Sequence, residues 1–75
     1  MLYEIIAKIL VIDEDDINDD ISRKNIDEWD SMTHLVLISE IEQHFDFTFE
    51  DDEIASIQKV GDIKTILRKK NISFN

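Results

Sequence analysis

Residues 30–45 read DSMTHLVLISEIEQHF, and the parsing of this stretch decides the fold. Leu35, Ile38, Ile41 and Phe45 recur every three or four residues, which is the period of one face of a helix. Asp30 and Ser31 stand at its front, and either side chain can accept hydrogen bonds from the open amides of a first helical turn. Upstream, Leu2, Ile5, Ile6, Ile9 and Leu10 share a face and predict a first helix ending near Ile12. Between the two lies DEDDINDDISRKNIDEWD, a long acidic loop in which Ile17, Ile21, Ile26 and Trp29 are the expected anchors to the core. Downstream, Phe47 and Phe49 are spaced as inward-pointing residues of an extended link. EDDEIASI, acidic at its front, predicts a short third helix. In KVGDIKTILRKK the residues Val60, Ile63, Ile66 and Leu67 form the face of a fourth, with Asp62 early and cations late. Gly61 weakens the expected start of that helix. The expected fold is all-α: one domain, 1–75, with three longer helices, one short helix and a long loop between helices 1 and 2.

Composition agrees. There is no proline and one glycine in 75 residues, which argues against the tight hairpins of an all-β fold. No cysteine is present, so no disulfide or thiolate zinc site can staple the chain. A 43% apolar content supports a folded core despite the high charge. The net charge of −10 opposes binding to nucleic acid and favours basic partner surfaces. That charge is uneven: residues 1–58 hold 17 acidic and 3 basic side chains, whereas Lys59, Lys64, Arg68, Lys69 and Lys70 cluster behind them. No apolar run reaches membrane-span length, and MLYEIIAK lacks the basic flank of a signal peptide, so a cytoplasmic location without membrane insertion is expected.

The residues alone raise three kinds of site. An EF-hand starting at Asp13 would place Ile17, Asn18 and Lys24 where an oxygen ligand, glycine and bidentate glutamate are required, so the acidic run reads as a solvated loop. Ser31 and His34 are neighbours on a helix, but a serine hydrolase also needs an oxyanion hole, an orienting third group and a pocket, and no G-x-S-x-G turn is present. Enzymatic activity is therefore not expected, and His34 and His44 read as ordinary helix residues. Ser31 remains with two readings, a helix cap or a hydroxyl placed where free amides and the helix dipole would favour an attached phosphate.

From Asp30 to Leu67 the chain resembles the acyl carrier proteins and related carrier domains. The resemblance lies in Asp30-Ser31-Met32 opening the second helix, Glu42-x-x-Phe45 closing it, the acidic segment beyond, and Val60-Gly61-Asp62-Ile63. With helix 1 in its expected place, the likeness covers nearly the whole chain. It implies that Ser31 receives 4′-phosphopantetheine from coenzyme A, by the action of a separate phosphopantetheinyl transferase, with Asp30 supporting the site. Acyl or aminoacyl groups would then ride the terminal thiol as thioesters. The resemblance also implies partner contacts at Met32, Leu35, Glu40, Glu42, Asp51 and Asp52, made with loading and transfer enzymes that present basic docking surfaces to a monomeric carrier. Two departures stand out: Glu28-Trp29 precede Asp30 where fatty-acid-synthesis carriers usually have a glycine, and the early second helix carries Thr33, His34 and Val36 rather than acids. By resemblance they point toward a stand-alone carrier of a specialised pathway, or toward an aminoacyl carrier. The competing expectation is a small acidic interaction module in which Ser31 is only a cap.

Overall fold

The computed structural model describes residues 1–74, and the helices appear where the apolar periods place them. They are α1 (Leu2–Leu10), α2 (Ser31–Phe45), α3 (Asp51–Ser56) and α4 (Val60–Lys69). A single turn of 3-10 helix at Glu14–Asp16, which the periodicity does not announce, interrupts the long loop. Among the described residues no strand forms. The nearest approach to one is an isolated antiparallel bridge between Ser22 and Lys59.

The core is built from one face of each long helix. Leu2, Ile6 and Leu10 from α1 meet Leu37, Ile38 and Ile41 from α2 and the predicted Val60, Ile63, Ile66 and Leu67 face of α4. Ile17, Trp29, Phe49 and Ile57 complete it from the connecting segments. Each such side chain contributes about 1.5–3 kcal/mol by leaving water, and that summed burial must outweigh the ordering entropy of the chain.

The α2 stripe differs from its expected composition. Leu35 is 59% exposed, and His34 takes the inward position instead. Both residues fit a helical period with Ile38 and Ile41, but one step along a helix turns the side chain by about 100°. Position 34 can face inward because its polar ring finds partners there, described below. Phe45 is half-buried, so the expected stripe holds at its far end.

The long loop is tied down as its apolar residues suggest. Ile17 and Trp29 are buried, and Ile21 and Ile26 pack against the core edge. Backbone bonds then stitch the loop to the α3–α4 connection: Arg23 N–H donates to Gln58 O at 2.9 Å, Val60 N–H to Ile21 O at 3.0 Å, and Gly61 N–H to Asp19 O at 3.0 Å. This accounts for Gly61 in the first turn of α4. A Cβ there would meet the Asp19 carbonyl oxygen and Cβ at 3.3 Å, so the loop backbone sits closer than a side chain comfortably permits.

With glycine spent at that contact, the helices end without it. Val11, Asp46 and Asn71 each adopt the left-handed conformation, at φ of 57°, 57° and 60°. Asn71 suits such a position, and the following Ile72 N–H closes the end of α4 on Leu67 O at 2.9 Å. Val11 is β-branched, 80% exposed and strained there.

Candidate functional site

The start of α2 answers the question of which residue caps the helix. Asp30 is the N-cap, in extended conformation, and its Oδ1 accepts the Thr33 amide at 2.9 Å. Its carbonyl accepts the His34 amide at 2.8 Å. The Thr33 amide holds the Asp30 carboxyl below the usual carboxylate range, so it is ionised at neutral pH. Ser31 is the first helical residue, exposed, and its hydroxyl has no hydrogen-bond partner within the chain among the described residues. The capping task is therefore met without it. An exposed hydroxyl beside the open amides of a helix N-terminus is well placed to carry a phosphate ester.

His34 lies one turn along, but it does not face the serine as a base. Its Nδ1 accepts the Trp29 indole N–H at 2.9 Å, and its Nε2 stands 3.0 Å from the Ile54 carbonyl oxygen. Both ring nitrogens are engaged elsewhere, and neither is left to take a proton from Ser31. Burial lowers the His34 pKa, the Ile54 bond opposes that shift, and Arg23 reinforces it. The Trp29–His34 pair is the feature of this region that sequence reasoning missed. Its signal was present in retrospect: His34 stands four residues before Ile38 and seven before Ile41, in register with the core, five residues after the lone tryptophan.

The remaining candidates divide by exposure. Met32 is 77% exposed, and with Leu35 and Val36 it forms an apolar strip at spacings of three and four along α2, next to Ser31. Glu40 is exposed farther along the same helix, and Asp51 and Asp52 are exposed on the first turn of α3. The bond between His34 and Ile54 ties α3 to α2, and the Phe49 amide on Glu42 ties the chain just before α3 farther along the same helix, so Asp51 and Asp52 fall between these two contacts in sequence. Glu42 is different: it is half-buried, and its Oε2 accepts the Phe49 amide at 2.8 Å, closing the link between α2 and α3. No helix is long and apolar enough to cross a membrane among the described residues.

Comparison with known proteins reaches the same place. Residues 2–67 match the family model described as the phosphopantetheine attachment site. A Mycoplasmopsis pulmonis (strain UAB CTIP) protein, an acyl carrier protein homolog, is 38% identical over 50 residues, spanning 67% of this chain and 64% of that protein. Among solved structures, a Mycobacterium tuberculosis protein assigned as an acyl carrier protein superimposes with a TM-score of 0.82 at 26% identity, covering 92% of each chain. The holo acyl carrier protein of Nitrosomonas europaea superimposes at 0.80 with 25% identity, covering 93% of this chain and 90% of that one. Both the four-helix fold and a phosphopantetheine prosthetic group follow from these likenesses. The chain belongs to the phosphopantetheine attachment site family and is similar to acyl carrier proteins.

Proposed function

We propose that the chain is a discrete acyl carrier protein, a single domain over residues 1–75, with Ser31 as the attachment point of its 4′-phosphopantetheine. The observation that supports this most directly is the division of labour at α2: Asp30 caps the helix, leaving the Ser31 hydroxyl exposed and without a structural task. When bound, the group supplies a terminal thiol on which acyl or aminoacyl cargo is held as a thioester. The protein presents that thiol rather than transforming the cargo, and the engagement of both His34 nitrogens speaks against a serine-enzyme reading. The attached phosphate sits where the α2 dipole favours an anion, which stabilises the product of loading.

The docking partners in this reading are the phosphopantetheinyl transferase and the enzymes that load and unload the thiol. They contact Met32 and Leu35 first, because these apolar side chains lie within a turn or so of Ser31 and are exposed. Glu40, Asp51 and Asp52 supply acidic contacts to basic rims. Glu42 takes part only through the oxygen not committed to the Phe49 amide. The stretch Ser31–Ser39 carries no acid, and this supports a carrier of a specialised pathway over one serving bulk fatty-acid synthesis. Contacts centred on an apolar strip are screened less by salt than purely ionic ones.

The test is intact mass after incubation with coenzyme A, magnesium and a promiscuous phosphopantetheinyl transferase. One phosphopantetheine added to wild type and none to Ser31→Ala is the expected result. Addition to Ser31→Ala would remove Ser31 from its role. No addition to folded wild type, with several transferases tried, would favour an interaction module.

A further inference from the structure

Among the described residues His34 is the buried polar side chain of the core, 4% exposed, and its ring has a partner on each side. The Trp29 indole N–H faces Nδ1 at 2.9 Å, and the Ile54 carbonyl faces Nε2 at 3.0 Å. A carbonyl only accepts, so Nε2 must carry the hydrogen. An indole N–H only donates, so Nδ1 must be bare. The two fixed partners thus specify the neutral Nε2–H tautomer and leave no room for a second proton. Adding one would set N–H against N–H across the Trp29 contact, in a region where water cannot intervene cheaply.

The position of the ring gives this a consequence. Trp29 ends the long loop two residues before Ser31, Ile54 belongs to α3, and His34 belongs to the second turn of α2. One imidazole therefore joins three segments, one of them the start of the helix that Ser31 opens. We propose that His34 is an acid-sensitive latch: neutral, it holds α3 and the end of the Trp29 loop against the start of α2, and protonated, it releases both. It is a positioning residue, acting through Trp29 and Ile54 rather than on any reacting atom.

The surrounding charges do nothing to rescue the protonated form. From the loop, Arg23 repels it. On α3, the Glu53 carboxylate is turned to the Glu50 amide at 2.9 Å and to Lys70 at 3.1 Å. On α2 itself, the Asp30 carboxylate is spent on the Thr33 amide. The sign follows from proton counting. The latched state binds the proton less readily than the opened one, where the ring has its free value of about 6.5. The contribution of the latch is therefore whole above about pH 6.5 and is lost as pH falls through the lower value of the closed state. Asp19, Asp30 and Glu53, whose carboxyls are also held low, begin to lose their contributions only as pH falls into the ordinary carboxylate range, so the onset near pH 6.5 belongs to His34.

The experiment uses the apo protein labelled with nitrogen-15, so its outcome does not depend on whether Ser31 is loaded. Ring spectra of His34 report the tautomer, and the one indole resonance reports Trp29. Exchange of the α3 amides, divided by their intrinsic rates, reports opening. At pH 7.5 the Nε2–H pattern is expected. Between about pH 6.5 and the closed-state value, the opening constant of α3 should rise by up to about tenfold per pH unit, in step with the His34 ring and the indole. Trp29→Phe removes the opposing donor and should move His34 protonation to higher pH; if that variant does not fold, the wild-type titration decides alone. An Nδ1–H tautomer would overturn the latch. So would a His34 titration that leaves the indole and the α3 amides unmoved.

Discussion

Removing the Glu42 side chain tests whether this acid belongs to docking or to the frame of the site. Its Oε2 holds the Phe49 amide at 2.8 Å, while its own carbonyl accepts the amides of Asp46 and Phe47. Side chain and backbone together thus fix the turn from α2 toward α3, and Phe49 enters the core at 3% exposure. A hydrogen bond to a charged group contributes about 1.5–3 kcal/mol, and this one is only half-buried, so the lower end of that range applies. Glu42→Ala should cost about 1.5–2 kcal/mol. For a domain of this size that is a drop of about 10 °C in Tm. Glu42→Gln keeps an acceptor oxygen at the same reach and should lose about 0.5–1 kcal/mol, the charge-assisted part of the bond. The assay is urea unfolding followed by the fluorescence of Trp29, which is 2% exposed when folded and is the only tryptophan. An Ala variant within about 0.3 kcal/mol of wild type would refute the reasoning, since the Phe49 amide would then have found water at no cost. Equal losses for Ala and Gln would also refute it, because the acceptor oxygen would not matter. Where Gln keeps stability but weakens binding to a loading enzyme, the uncommitted oxygen carries the docking contact.

Other outcomes follow from the same structure. Ser31→Ala should leave Tm within about 2 °C, because Asp30 performs the capping. Val11→Gly relieves a left-handed β-branched residue and should stabilise by about 0.5–1 kcal/mol, the strain relieved less the extra entropy of the unfolded glycine, seen as a higher urea midpoint with unchanged slope. Leu37→Ala empties a fully buried position between α2 and the core and should cost about 2–5 kcal/mol in the same unfolding assay. With the proposed phosphodiester on Ser31, an anion would be held on the residue three positions before His34 and would favour the imidazolium, so the indole transition should then fall at higher pH than in the apo form.

The helical architecture was legible because it rests on periodicity. The apolar spacings of residues 2–10 and 60–67 fall on the buried faces of α1 and α4. Ile17 and Trp29 were recognisable as anchors because a solvent-exposed acidic loop gives isolated large apolar residues nowhere else to go. The inward face of α2 was less certain, since positions 34 and 35 fit the same period equally well with Ile38 and Ile41. A hydropathy argument prefers leucine, and the core took histidine. That choice rests on an indole N–H five residues upstream and a carbonyl twenty residues downstream, neither of which is visible from the helix's own sequence.

The serine shows the same division more sharply. Asp30 and Ser31 are both good caps, so the sequence by itself determined that a cap and a hydroxyl stand at the head of α2, and the family likeness follows from the residues around them. Which of the two does the capping is a matter of one backbone conformation: Asp30 is extended and Ser31 is already helical. That boundary is set by how Trp29, one residue earlier, is drawn into the core and by its bond to His34. Local propensities fix which segments are helices because they depend on neighbours within a turn or two. The start of α2, the register of its buried face and the freedom of Ser31 depend on contacts between distant segments, and only packing decides those.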